Sequence, residues 1–148
     1  MRWLLFGASA LAALAVGIGV AEIQSRFASA SKHAPKDDPL FKAYVLSLFS
    51  EPGRAADEFA TLSSASPLLT SYAVALFTAE RCSTPKPSEA LERAAGGVAA
   101  FETEVGKKIF AVAGVVSTMK FPSAESEAAF CEATRKAIAL SEATTNTP

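Results

Sequence analysis

The stretch LERAAGGVAAFETEVGKKIFAVAGVVSTM, residues 91–119, decides the fold. Its larger apolar residues, Leu91, Val98, Phe101, Val105, Ile109, Val112, Val116 and Met119, keep helical spacing. Four glycines interrupt them. Gly96, Gly97, Gly106 and Gly114 would each cost about 1 kcal/mol against alanine in a helix interior, so each position is expected to mark a break or a close helix contact. Ile109 to Val116 contains no polar residue, and periodicity alone also allows a buried strand there. No partner strand is visible elsewhere, so the run reads as helix.

The cysteines on either side of this stretch sharpen the expectation. Cys82 and Cys131 are the only thiols in the chain, and in an oxidising compartment such an isolated pair reads as a disulfide. Closing a loop of about 50 residues removes roughly 4 kcal/mol of unfolded-chain entropy on the chain-entropy model. A single straight helix from Ser88 to Met119 would be about 48 Å long at 1.5 Å per residue. Cys131 would then lie only about 14 Å back from its far end, and the loop after Cys82 would recover at most about 18 Å. Disulfide Cα atoms must approach within about 7 Å. A straight helix and the bridge exclude one another, so the chain is expected to reverse at Gly96-Gly97.

Upstream, Asp38-Pro39 supplies an N-cap and a proline at the first helical position. Leu40, Phe41, Tyr44, Val45, Leu48 and Phe49 then paint one helix face until Pro52-Gly53 stops it. A weaker helical stretch runs through Phe59 and Leu62. Ser66-Pro67 opens a third helix with Leu68, Leu69, Tyr72, Leu76 and Phe77 on one face. Ser83-Thr84-Pro85-Lys86-Pro87 ends it at Cys82, and Ser88 caps the next helix. Phe121-Pro122 marks a turn, Ser123 caps a last helix, and Phe130, Ala133, Ala137 and Ile138 form its inner face. The fold class is all-α: about five helices over residues 39–143, with a polar, disordered tail over 144–148.

At the N-terminus, nineteen residues from Trp3 to Ala21 carry no charge. A bilayer core takes about 20 apolar residues as helix, and a secretory h-region only about 7 to 15. Residues 1–21 therefore read as a transmembrane anchor, with a cleaved signal peptide as the alternative. Ala28-Ser29-Ala30 matches the small-residue cleavage pattern, and Gly19-Val20-Ala21 matches it less well. Arg2 keeps the N-terminus cytoplasmic in either case. Ser9, Ala13, Gly17 and Ala21, spaced four apart, form a small-residue stripe of the kind that lets membrane helices pack closely. Residues 22–38 read as a polar linker.

Charge and motif content exclude several functions. Twelve of the 14 Lys/Arg and fourteen of the 15 Asp/Glu fall from Ser31 onward, so the exported part is near neutral. It lacks the basic stripe that nucleic-acid binding needs. The adjacent basic pairs, Lys107-Lys108 and Arg135-Lys136, read as solvated helix faces, with Glu104 placed to pair with Lys108. Nucleophilic catalysis would have one histidine to draw on, His33, in the linker. The same histidine with Asp37 and Asp38 makes too poor a ligand set for a metal site. The pairs Asp57/Glu58, Glu102/Glu104 and Glu125/Glu127 lie on polar helix faces, where solvation explains them without acid–base work.

No catalytic residue, cofactor or metal is therefore expected. The sequence reads as a non-catalytic helical module anchored in a bacterial inner membrane, a source suggested by its high alanine content. Its domain would lie in the periplasm, with protein partners as an accessory or assembly subunit of a membrane complex. The alternative is a soluble periplasmic or secreted binding or chaperone-like protein, with an apolar pocket lined by Phe41, Tyr44, Phe49, Phe77 or Phe110.

Overall fold

The computed structural model describes residues 20–27 and 38–146. Among them the chain is entirely helical, without strands. Residues 20–27 are helical and are followed by α1 (Pro39–Ser50), α2 (Pro52–Ala65), α3 (Pro67–Cys82) and α4 (Glu89–Ala95). A 3₁₀ turn (Val98–Glu102), α5 (Glu104–Thr118) and α6 (Ala124–Thr145) complete the order.

The starts of these helices follow their capping residues. The Asp38 carboxylate accepts hydrogen bonds from the Leu40 and Phe41 amides at 3.1 Å. Ser88, Thr103 and Ser123 accept from Leu91, Gly106 and Ser126. Each bond satisfies an amide that the first helical turn leaves without a partner. At Ser66 the hydroxyl makes no such bond, and Pro67 alone sets the helix entry.

The reversal expected at Gly96-Gly97 is present. Gly96 has φ +99° and Gly97 φ +67°, the left-handed region that favours glycine. Their amides close back on the Arg93 and Glu92 carbonyls. The span from Ser88 to Met119 is thus three elements: α4, the 3₁₀ turn and α5. With α5 folded back along α3, the Cys82 and Cys131 Cα atoms lie 5.1 Å apart and the sulfurs are at disulfide bonding distance.

Helix α5 is the centre of the molecule. Every residue from Ile109 to Ser117 is buried, and α1, α2, α3 and the 3₁₀ turn all pack on it. Helix α3 lies between α5 and α6, while α4 fills the remaining side against α3 and α6. Phe110 is the hub of the core, with ring centroids of Phe27, Phe77 and Phe101 within 5.3 Å. Edge-on contacts of this kind add about 0.5–1.5 kcal/mol each beyond area burial.

Three readings of the sequence are corrected. Residues 22–27, expected to be linker, are helix and core: Ile23 is 0% and Phe27 1% exposed. Val20, Ile23 and Phe27 fall at i, i+3 and i+7 on one helix face, while Glu22 and Arg26 pair at 2.8 Å outside it. Composition hid this periodicity. The tail expected from residue 144 is still helical through Thr145, with the Thr144 and Thr145 hydroxyls bonded to the Leu140 and Glu142 carbonyls. Lys107 bridges to Asp38 at 3.6 Å, and no Glu104–Lys108 pair occurs among the described residues.

The run 1–19, with Ser9, Ala13 and Gly17, lies outside the described residues, as do linker residues 28–37, including His33. Ala21 is helical and exposed. Among the described residues no helix is long and apolar enough to cross a membrane.

The two interior glycines are expected to respond unequally to substitution. A Cβ at Gly106 would sit 1.7 Å from the Ala100 carbonyl oxygen, whereas one at Gly114 would meet Ile23 and Phe77 side-chain atoms at 2.9–3.0 Å. Gly114→Ala is predicted to cost about 1–3 kcal/mol as overpacking. Gly106→Ala is predicted to cost more, because backbone has to move; urea unfolding followed by circular dichroism gives both values. Removing the bridge with Cys82→Ala/Cys131→Ala is predicted to cost about 4 kcal/mol on the chain-entropy model, measured in the same way against the oxidised protein.

Candidate functional site

The last helix was expected to bury Phe130, Ala133, Ala137 and Ile138 as one inner face. Ile138 is buried, but Ala133 and Ala137 are exposed, because the space beside them is a cleft of about 380 Å³. Helices α2, α3 and α6 form its walls. Phe59 and Ser63 come from α2, and Thr70, Ser71 and Val74 from the first two turns of α3. On α6, Ala133, Ala137 and Ser141 recur every fourth residue, so one side of the cleft is a strip of small side chains. Larger residues there would close the gap; the bulky Leu140 stands at its rim, 71% exposed.

The residues lining this cleft include no charged side chain; their polar groups are hydroxyls and backbone. The Ser141 hydroxyl donates to Ser71 at 2.7 Å, and Thr70 donates to the Ser66 carbonyl at 2.8 Å. Two hydroxyls are unspent. The Ser63 Oγ is buried without a hydrogen-bond partner, and Thr134, 7% exposed, makes no side-chain hydrogen bond among the described residues. A buried hydroxyl without a partner costs about 1–3 kcal/mol. The arrangement suits an apolar, uncharged guest with room for one or two hydrogen bonds.

The pocket expected from the sequence is elsewhere in the molecule and is closed. Phe41, Phe77 and Phe110 are each at most 4% exposed and belong to the aromatic core. Phe49 and Tyr44 pack against its edge. What the sequence did offer was the small-residue spacing of Ala133, Ala137 and Ser141, but its periodicity resembles that of any packed alanine face.

A second recess of about 370 Å³ is polar, and Glu22, Arg26, Glu80 and Arg81 are among the residues lining it. Both arginines are already engaged. Arg26 donates to the Leu76 carbonyl at 3.2 Å and lies over the Phe77 ring. Arg81 donates to the Ser117 and Met119 carbonyls at 2.8 Å, pairs with Glu127 at 2.9 Å and covers the Phe121 ring. It thereby caps the C-terminus of α5 and ties it to the start of α6.

Of the carboxylates considered for acid–base work, Glu58 and Glu127 have structural partners. Glu58 accepts from the Tyr44 hydroxyl and from Arg54. Burial alone would raise its pKa, but those two hydrogen bonds and the Arg54 charge outweigh it and hold the group below its ordinary value. Glu127 is held by Arg81, and Glu142 accepts from the Ser88 hydroxyl and amide. Glu102 and Glu104 stand at the junction of the 3₁₀ turn and α5. Among the described residues no cluster of His, Cys, Asp or Glu has the make-up of a metal site. No family model matches the chain, and neither a curated protein nor a solved structure matches it.

The two tyrosines, the only ones in the chain, give a pH signature. Burial, followed by the charge and hydrogen bond of Glu92, pushes Tyr72 up to about 12. Burial and Glu58 raise Tyr44 further. The folded state favours both neutral phenols, so their contribution is complete below the unfolded value of about 10 and is lost as pH rises through the folded values. Absorbance at 295 nm is therefore expected to show no ionisation near pH 10 and then to rise together with the loss of helical circular dichroism.

Proposed function

We propose that the chain is a non-catalytic helical module anchored in a membrane by residues 1–21, with its domain on the periplasmic side, acting as an accessory or assembly subunit of a membrane complex. One observation carries this reading: Ile23 and Phe27, immediately after the apolar run, are core residues. The Phe27 ring stacks on Phe41 at 4.3 Å and meets Phe110 at 5.3 Å. Ile23 fills the space that Gly114 leaves open.

Cleavage after Ala30 would remove both side chains. Losing a buried Ile costs about 2–5 kcal/mol and a Phe about 3–5, against a total stability of about 5–15 kcal/mol for a domain. A cut at that position is therefore hard to reconcile with a folded product. Retention of the segment also shortens the tether. The domain begins within a turn of the apolar run, which holds it at a fixed distance from the membrane, as suits a subunit that must meet its partners in register. The non-catalytic part of the proposal is supported by the engagement of Glu58 with Tyr44, Glu127 with Arg81 and Glu142 with Ser88, each between elements.

The cleft beside α6 favours a second reading, a soluble binding protein. That reading survives only with a cut after Ala21, which spares Ile23 and Phe27. Intact-mass measurement of the native protein separates the two. A full-length mass in the membrane fraction is the expected result; a mass lacking residues 1–21 in the soluble fraction sinks the anchor, and one lacking residues 1–30 from a folded protein sinks the core role of Phe27.

A further inference from the structure

We infer that the cleft between α2, α3 and α6 holds the hydrocarbon chain of a single-chain lipid, a free fatty acid of about a dozen carbons. The choice of a lipid rests on the membrane-anchored reading above; the cleft itself does not. Three features of the site select this guest.

The first is length. The cleft extends along α6 from Phe130 to Ser141, about 16 Å at 1.5 Å per residue. One leaflet of a bilayer with a hydrocarbon core about 30 Å thick offers chains of about 15 Å.

The second is width. A volume of about 380 Å³ spread over about 16 Å makes a narrow groove, open to solvent beside Ala133 and Ala137. The volume is also at the small end of ligand cavities, about 300–1,000 Å³, which suits one chain and not the two of a phospholipid.

The third is chemistry. The walls carry no charge, and the small residues Ala133, Ala137 and Ser141 keep open a channel that leucines would close. Thr134, 7% exposed, has hydrogen-bonding capacity left for a polar group of the guest, while a carboxylate stays in water at the open side, since the walls offer it no cation.

The test is photo-crosslinking. The full chain is reconstituted in phosphatidylethanolamine/phosphatidylglycerol vesicles with a diazirine-bearing dodecanoic acid, and the labelled residues are mapped by mass spectrometry. Label is expected on residues 130–141 and on the facing positions of α2 and α3, with competition by unlabelled laurate and none by added phospholipid. Ala137→Phe fills the channel and is expected to reduce that label at least tenfold while helical circular dichroism is kept; Ala133→Leu repeats the test if the first variant does not fold.

Label within residues 3–21 reports the anchor independently. Labelling of that segment without the cleft overturns the lipid site and leaves the anchor, and labelling of the cleft alone does the reverse. Cleft labelling that is unchanged in the filled variants, or displaced by phospholipid, also overturns the proposal.

Discussion

Nine consecutive residues of α5, Ile109 to Ser117, are buried, so this stretch of the helix has no solvent face and must be covered from every side. A helix apolar all round is stable only inside a protein or a membrane. Here the cover comes from α1, α2, α3 and the 3₁₀ turn, and also from residues 20–27, whose Ile23 reaches Gly114. The glycines of α5 lie where these neighbours come closest. Gly106 admits the backbone of the 3₁₀ turn, and Gly114 admits a side chain from before α1. The loss of helix propensity, about 1 kcal/mol at each, is offset by contacts that no larger residue permits.

Much of this was legible in residues 91–119. The requirement that Cys82 and Cys131 meet, set against the length of a straight helix, located the reversal at Gly96-Gly97. The caps at Asp38, Ser88 and Ser123 were readable because a hydroxyl or carboxylate ahead of an apolar periodicity is a local signal. Residues 22–27 were not read as core, because Gln24, Ser25 and Arg26 dominate so short a segment and only its continuation from Val20 reveals the stripe. The partner that makes Ile23 and Phe27 core lies some ninety residues away in sequence, beyond the reach of any local pattern.

The candidate site was less legible still, for a different reason. Helical periodicity reports which face of α6 turns inward; it does not report whether the opposing helices come close enough to fill the space. Phe130, Ala133, Ala137 and Ile138 were read together as packed, yet Ile138 is buried and the two alanines line an open cleft. The separation depends on how α2 and α3 are placed by α5, a global property. The aromatic residues proposed for a pocket failed in the opposite direction: large apolar side chains near the centre of a small bundle close space instead of lining it.

The connections concentrate at one end of the molecule. Residues 20–27 run along α5 with Ile23 at Gly114 and Phe27 at Phe110, so the chain enters near the C-terminus of α5. There Arg26 holds the Leu76 carbonyl, and Arg81 holds the last carbonyls of α5 together with Glu127. Arg135 holds the Cys82 carbonyl beside the disulfide. A covalent bridge and three engaged arginines thus join α3, α5 and α6 at the end where residues 20–27 enter. The cleft starts at Phe130, next to the bridge, and runs away from that end towards Ser141, where the Ser141 hydroxyl bonds to Ser71 and Glu142 holds Ser88. The end at which residues 20–27 enter is thus also the end closed by the disulfide, so the contacts that cover α5 and those that tie α3 to α6 are made together.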